Sequence, residues 1–533
     1  VLAFSRHTAF SPLIIPDERA AAYLAIGVSL AHQAPVVLIC TSGTAALNYL
    51  PAVAEAWYQE IPLLVLTADR PAECVDQLDN QAIHQRAMYE PYVHGSFDWP
   101  CAGDRESDGE AIACMAAALK RVLSKPAGPV HVNLPFREPF YPRVDNVVDC
   151  SGMDLSVKSG SLPDLDSPSW KRFKQLFSSA KRILVVIGQT SPGTDLGPAL
   201  VQLLKDERIV CLADVTSNVG GQPCVCYSAD LFLGAQSYDP LQYVPDLMIY
   251  VGGPILSKRV KEFYRQHAPR EMWRIQLSPT IPDTFRCLSG SIVSDPASTL
   301  LRMTEEAEPS TLSDASWRQV WETSEQSARR LVERFLHSGR SFNELEVVGR
   351  ILEALPSDAH LHLGSSMPVR WADIVGTSSR TGPVYANRGT SGIDGCVATA
   401  VGAAIASSDL HVLICGDMTF QYGRNAFWHT YPLDNLVVII LNNGGGGIFK
   451  MIPGSSEQPE CDQYFVTEQT WTAMTLAQDK NLSYESCNDY VGLEKALNGL
   501  FCKGSSGKVL EIFIHLDTSR DIYRELRREA SDI

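Results

Sequence analysis

Short, largely apolar runs recur along the chain, many of them closed by a polar or glycine-containing turn. They include VVLIC at 36–40, PLLVLTAD at 62–69, RILVVIG at 182–188, RIVCLADV at 208–215, LMIYVGG at 247–253 and WRIQLSP at 273–279. HLHLGSS at 360–366, HVLICGD at 411–417, LVVIILNN at 436–443 and VLEIFIHL at 509–516 repeat the pattern near the end. VVLIC, HVLIC and LVVIIL lack the alternation of a half-exposed strand, so they predict strands buried on both faces of parallel sheets, and the other runs are strand candidates of the same kind. Helical stretches, among them Glu18 to Ala34 and the helix-rich segment Trp317 to Leu355, alternate with them. That alternation predicts an α/β fold with crossover helices. Two polar segments, 151–169 rich in Ser, Asp, Gly and Pro and 305–316 rich in acidic residues, read as linkers. The expected organisation is three consecutive domains with parallel sheets, at 1–150, 170–303 and 317–533.

A chain of 533 residues is too long for one core, and 45% apolar with 20% charged residues is ordinary for a globular enzyme. The formal charge of −16 disfavours nucleic acid and anionic membrane as partners. No apolar run approaches the roughly 20 residues needed to span a bilayer. Fourteen cysteines are scattered without a repeated CxxC framework, which predicts reduced thiols. Cys224-Val225-Cys226 is too sparse to define a metal site. Gly252-Gly253 has no GxGxxG around it, so the middle domain reads as structural.

The stretch His411 to Phe449 concentrates the chemistry. Its two strands end at Gly416-Asp417 and at Asn442-Asn443, and the second runs into Gly444 to Gly447. Ligands of open parallel sheets bind outside the carboxyl ends of the strands. An Asp oxygen, an Asn amide oxygen and a glycine carbonyl are hard ligands suited to Mg²⁺ or Ca²⁺, and glycines let the backbone approach a diphosphate. The segment reads as a diphosphate and Mg²⁺ cradle.

The Gly-Asp and Asn-Asn spacing is similar to the thiamin-diphosphate signature, with Met418 in place of its usual third Gly. The chain as a whole resembles the thiamin-diphosphate-dependent SEPHCHC synthases of menaquinone and phylloquinone biosynthesis. The resemblance is carried in order by DERAAAYLAIG, TSGTAALNYLPAVAEA, LLVLTADRPAE, NQAIHQ, PVHVNLPFREP, GGPILSKR, GSSMPVR, ANRGTSGIDG, GDM and NNGGGGIF with its MIP. NNGGGGIF is most like plant, algal and cyanobacterial members. The resemblance implies pyrimidine-binding, central and diphosphate-binding domains in that order.

It also implies roles. Asp417, Asn443 and the Gly445 carbonyl would hold Mg²⁺, with Mn²⁺ as an alternative ion, beside Gly416; Asn442 would support the turn. Glu18 would contact the aminopyrimidine, promoting its imino form, and Ile393 would wedge the cofactor into its V shape. Ser366 and Arg370 would receive the carboxylate of 2-oxoglutarate. Arg70, Asn80, Gln81, Lys258, Arg259 and Arg388 would line the isochorismate side, with Ile448 and Phe449 as apolar wall. Four substrate carboxylates require several fixed cations, and Arg grips carboxylates bidentately. The implied catalytic set is Glu18, Arg70, Gln81, Ser366 and Arg370. Members place the active site between two subunits, so a homodimer or homotetramer is expected.

The family has a full strand and helix before a Ser-Arg-Ser turn, whereas here Ser5-Arg6-His7 lies close to the beginning at Val1. A substrate role for Arg6 therefore depends on whether this shortened segment keeps its place, and a fragment or processed chain is one expectation. Location is expected to be the plastid stroma in a plant or alga and the cytoplasm otherwise. Two alternatives stay open: another thiamin-diphosphate 2-oxoacid decarboxylase or carboligase, and an inactive truncated scaffold.

Overall fold

In the computed structural model the described residues are all but 102–104, 138–167, 221, 223–224, 236–238, 307–313, 378–381, 503 and 505. Every apolar run named above is a strand, and every strand pair is parallel. The first sheet holds β1 (Val36–Cys40), β2 (Leu63–Asp69), β3 (Ser96–Asp98) and β4 (Val130–Pro135), in the order β1-β2-β4-β3. The second holds β5 (Ile183–Ile187), β6 (Ile209–Ala213), β7 (Val225–Cys226), β8 (Leu247–Val251), β9 (Glu271–Gln276) and β10 (Gly290–Val293), ordered β10-β9-β8-β5-β6-β7. The third holds β11 (His360–Leu363), β12 (Val384–Ala386), β13 (His411–Gly416), β14 (Leu436–Asn442), β15 (Ser483–Cys487) and β16 (Lys508–Phe513), ordered β12-β11-β13-β14-β16-β15. β5, β6, β8 and β14 are buried along their whole length, as two-sided helical cover requires.

Strands β3, β7, β10 and β15 are not legible as apolar runs. Each lies at a sheet edge, where one side of the strand has no ladder partner and less apolar surface is demanded. Helices bracket the two linker segments more closely than composition implies. One starts at Pro168, another ends at Glu306, and a third starts at Ala315. Apart from Asp314, which caps the third of these helices, the remainder of both linkers, the end of the first domain and Cys224 lie outside the described residues. The twelve described cysteines are free.

The chain forms two compact units. One comprises Val1–Ser161 with Gly389–Ser408 and Gly423–Pro432; the other comprises Leu162–Arg388, Asp409–Tyr422 and Leu433–Ile533. In the first unit the helix Glu18–His32 begins at an Asp17 cap, whose carboxylate accepts the Ala20 N–H at 2.8 Å. It packs against the helix Cys396–Ala406 at backbone contact. A Cβ at Gly27 would lie 2.0 Å from the Thr399 carbonyl oxygen, and one at Gly402 would lie 2.1 Å from that of Leu24. In the second unit the helix Ala315–Leu336 buries Trp317, Trp321, Ala328, Leu331, Val332 and Phe335, the stripe of an amphipathic helix.

Candidate active site

The third sheet contains a topological switch point. From β11 the chain steps outward to the edge strand β12, then returns to place β13 on the opposite side of β11. Ligands of open α/β sheets occupy the crevice such a reversal leaves at the carboxyl ends. Three segments emerge at that edge: Gly364 to Ser366 after β11, Asp417 after β13 and Asn443 after β14.

Asp417 is buried and opens the helix Asp417–Tyr422. Burial pushes its carboxyl above the usual range, while the Gln469 side chain and the N–H groups of Met418 and Gly445 draw it back. The two asparagines have different tasks. The Asn442 amide is spent within the fold: its Nδ2 donates to Glu511 at 2.7 Å and to the Trp471 carbonyl at 3.1 Å, and its Oδ1 accepts the Gly444 N–H at 3.2 Å. Asn443 donates its Nδ2 to Glu344 at 2.6 Å, and its buried Oδ1 has no hydrogen-bond partner among the described residues. A buried, unpartnered amide oxygen is costly unless a ligand completes it.

The glycine run bends tightly around this point. Gly444 has φ +80°, and a Cβ on Gly445 would lie 2.7 Å from the Val466 carbonyl. The run is pinned by the segment that follows: Gly446 donates to Val466 at 2.6 Å, and Gln469 donates its N–H to the Gly444 carbonyl at 2.9 Å. The Gly445 carbonyl accepts the Gly447 N–H at 3.0 Å and keeps a second lone pair. A carboxylate, an orphaned amide oxygen and this carbonyl make an all-oxygen donor set, which fits a hard divalent cation.

Beyond this edge the same unit carries a group of cations. Ser366, with φ +77°, precedes the helix Met367–Val375, and Arg370 one turn on donates to the Ser366 carbonyl. Burial pushes the Arg370 guanidinium below its usual range, and Arg388 adds to the effect. Arg259 is lowered by burial and by neighbouring Arg527, with Asp230 opposing. Lys258 points outward, 88% exposed, and pairs with Glu262 at 3.3 Å. Lys261, which sequence reasoning did not single out, is half-buried and lowered by burial and by Arg388. Ile448 and Phe449 pack on the edge of the core, with Phe449 5.7 Å from the Phe465 ring.

The first unit presents a carboxyl edge of its own. Glu18 opens the helix Glu18–His32 near Cys40 and Tyr49. At the end of β2, Asp69 accepts the Arg70 N–H at 2.8 Å and the Asn133 amide at 2.8 Å. Gln81, in a left-handed conformation, donates to the Ser42 carbonyl at 3.1 Å, and buried Gln85 accepts the Gly43 N–H at 2.7 Å. Asn80 is exposed. Ile393 is half-buried, in a loop held by buried Glu55, which accepts the N–H groups of Gly389 at 2.8 Å and Thr390 at 2.6 Å. Arg6 is exposed at the end of the five-residue helix Leu2–Arg6, which buries none of its residues.

Comparison with known proteins decides the family. Residues 1–88 match the family described as thiamine pyrophosphate enzyme, N-terminal TPP binding domain, and residues 163–363 match the family described as middle domain of thiamine pyrophosphate. A 2-succinyl-5-enolpyruvyl-6-hydroxy-3-cyclohexene-1-carboxylate synthase from Cytophaga hutchinsonii is 37% identical over 99% of this chain and 93% of its own length. Proteins of the same name from Desulfotalea psychrophila (33% identity, 98% and 94% covered) and Porphyromonas gingivalis (34%, 96% and 89%) agree. The chain belongs to the SEPHCHC synthase family.

A solved structure from Mycobacterium smegmatis, described as a thiamin diphosphate-dependent enzyme, shares the fold. Its TM-score is 0.69 at 17% identity, covering 96% of this chain and 93% of the other. Within the SEPHCHC synthase framework, the fold brings together Ser366, Arg370, Arg388, Asp417, Asn443 and Gly445 in one unit. Glu18, Arg70, Gln81 and Ile393 lie in the other. Two residues packed against these strand ends escaped sequence reasoning, Gln469 against Asp417 and Glu344 against Asn443. Both are remote in sequence from the strands they serve and sit in no periodic pattern, so no local signal marks them.

Proposed function

We propose that this chain is a thiamin-diphosphate carboligase that removes CO₂ from 2-oxoglutarate and adds the remaining succinyl unit to isochorismate, forming SEPHCHC in menaquinone or phylloquinone biosynthesis. The observation that carries it is the orphaned, buried Asn443 oxygen beside Asp417 and the glycine run at the switch point. It occurs in a chain whose near-full-length relatives bear that synthase's name.

Asp417, Asn443 Oδ1 and the Gly445 carbonyl would hold Mg²⁺, or Mn²⁺ in its place, against the diphosphate. Bound thiamin diphosphate supplies the carbanion chemistry by which a 2-oxoacid loses CO₂ and its former carbonyl carbon becomes a nucleophile. The side chains supply position and charge. Glu18 would hold a proton against the aminopyrimidine nitrogen, and Ile393 would keep the two rings of the cofactor close. Arg370 would grip the distal carboxylate of 2-oxoglutarate, with Ser366 at the helix start before it. Arg70, Asn80, Gln81, Arg259 and Arg388 would orient the carboxylates of isochorismate, with Lys258 and Arg6 at the solvent side and Ile448 and Phe449 excluding water.

We further propose the three domains 1–150, 170–303 and 317–533, and a homodimer or homotetramer as the working form. No helix among the described residues is long and apolar enough to cross a membrane. We propose the cytoplasm, or the stroma in a plastid-bearing cell, as the place of work. Incubation with both substrates, thiamin diphosphate and Mg²⁺, followed by mass spectrometry, tests the reading. The expected product carries the isochorismate skeleton plus a succinyl unit. Loss of CO₂ from 2-oxoglutarate with isochorismate left unchanged would instead assign a simple decarboxylase.

A further inference from the structure

Resting on the cofactor reading above, we infer that Glu344 is the positioning residue that selects which face of the Asn443 amide meets the cation. Glu344 is the first residue of the helix Glu344–Ala354, 1% exposed, with its N–H donating to Ser519 Oγ at 3.1 Å. Its two carboxylate oxygens have separate donors. Oε2 accepts the indole N–H of fully buried Trp371 at 2.5 Å, and Oε1 accepts Asn443 Nδ2 at 2.6 Å.

An amide has one donor end and one acceptor end, and they point in different directions, so only one of them can face a given neighbour. Trp371 can only donate, so it occupies one oxygen of the carboxylate. The other oxygen then faces Asn443 as an acceptor and draws in the NH₂ end. The Asn443 carbonyl oxygen is thereby turned away from Glu344, and it is this oxygen that is buried and unpartnered among the described residues. Without Glu344, the NH₂ group could face the cation, and an NH₂ cannot ligate it. Trp371 thus fixes Glu344, Glu344 fixes Asn443, and Asn443 offers an oxygen to Mg²⁺. Such outer partners typically change metal affinity by about 10- to 100-fold.

Two isosteric changes should therefore exchange function. In Glu344→Gln the single acceptor oxygen is claimed by Trp371, so the new NH₂ faces Asn443 and inverts its amide. Asn443→Asp alone sets two carboxylates against each other. Combining them restores the pattern. Trp371 donates to the oxygen of the introduced amide, the NH₂ of that amide donates to the introduced carboxylate, and the second oxygen of that carboxylate faces the cation. The pair's formal charge is unchanged.

The experiment is calorimetric binding of thiamin diphosphate to the full chain at several Mg²⁺ concentrations, with urea denaturation of each cofactor-free variant alongside. Expected results are Mg²⁺-dependent affinity weakened about 10- to 100-fold in E344Q, weakened in N443D, and largely recovered in E344Q/N443D. The inference is overturned if E344Q binds as tightly as the parent, or if the double variant is no better than the weaker single one. A fall in cofactor-free stability that alone accounts for the binding loss, in E344Q and the double variant alike, would assign Glu344 a merely structural part and also overturn it. If the parent itself binds no thiamin diphosphate with Mg²⁺, the reading of the site and this inference fall together.

Discussion

Arg370→Ala separates the two substrates more directly than any other change. The guanidinium is half-buried on the helix Met367–Val375, with one nitrogen donating to the Ser366 carbonyl. Burial and the nearby Arg388 push its pKa down, more than Tyr523, Asp230 and Asp373 raise it. The protein alone therefore under-compensates this charge, and an anionic ligand gains from meeting it. A charge-assisted hydrogen bond contributes about 1.5–3 kcal/mol, and two such bonds in one fork are not additive. A loss of about 2–3 kcal/mol corresponds to roughly 30- to 150-fold in kcat/KM for 2-oxoglutarate. Arg370→Lys keeps the charge without the fork and should fall between the parent and the Ala variant. The assay is single-turnover CO₂ release from 2-oxoglutarate in the absence of isochorismate, followed by product formation on its addition. Arg370→Ala should slow the first step. Arg70→Ala should leave CO₂ release intact and impair only isochorismate consumption. The partition is refuted if Arg70→Ala suppresses CO₂ release as strongly as Arg370→Ala, or if Arg370→Ala leaves it untouched.

Asp417→Ala should weaken Mg²⁺-dependent thiamin diphosphate binding by roughly 100-fold or more; parent-like calorimetric affinity would remove Asp417 from the cation site. Glu18→Gln should leave cofactor affinity near the parent's but slow hydrogen–deuterium exchange at C2 of the bound cofactor, which NMR of quenched samples reads directly. Gly27→Ala should cost about 1–3 kcal/mol in urea denaturation, because the added Cβ overlaps the backbone of the helix Cys396–Ala406; an unchanged midpoint would contradict that packing. Burial pushes His411 down to about 3 and lowers His362 as well, the two rings meeting at 3.0 Å. A histidine depressed in the folded state takes up its proton more readily when unfolded. Its contribution is therefore present above the unfolded value of about 6.5 and is lost as pH falls from there toward 3. Denaturant midpoints should decline over that window, and less steeply in His411→Gln; equal slopes in parent and variant would refute neutral burial of the ring.

Most of the sheet architecture was determined locally. Runs such as Ile183–Ile187 and Leu436–Asn442 can lose water on both faces only inside a parallel sheet, so their composition already implies their neighbours. The Gly-Asp and Asn-Asn strand ends are legible for a related reason: a ligand site at a sheet edge needs polar and glycine residues directly after an apolar run. Edge strands such as Ser96–Asp98 and Ser483–Cys487 bury less apolar surface and leave no such mark. Tertiary structure alone decided which asparagine of the pair has an oxygen without a hydrogen-bond partner among the described residues. Asn442 and Asn443 are chemically identical in the sequence. What separates them is Glu511, joined to one, and Glu344, joined to the other, each far away along the chain. The same holds for Gln469 on Asp417 and for the close approach of Gly27 to Thr399. Apolar burial is a property of a segment and its period, which the chain carries locally. The direction of a hydrogen bond depends on which partner the fold brings within about 3 Å, and that is settled only when distant segments meet.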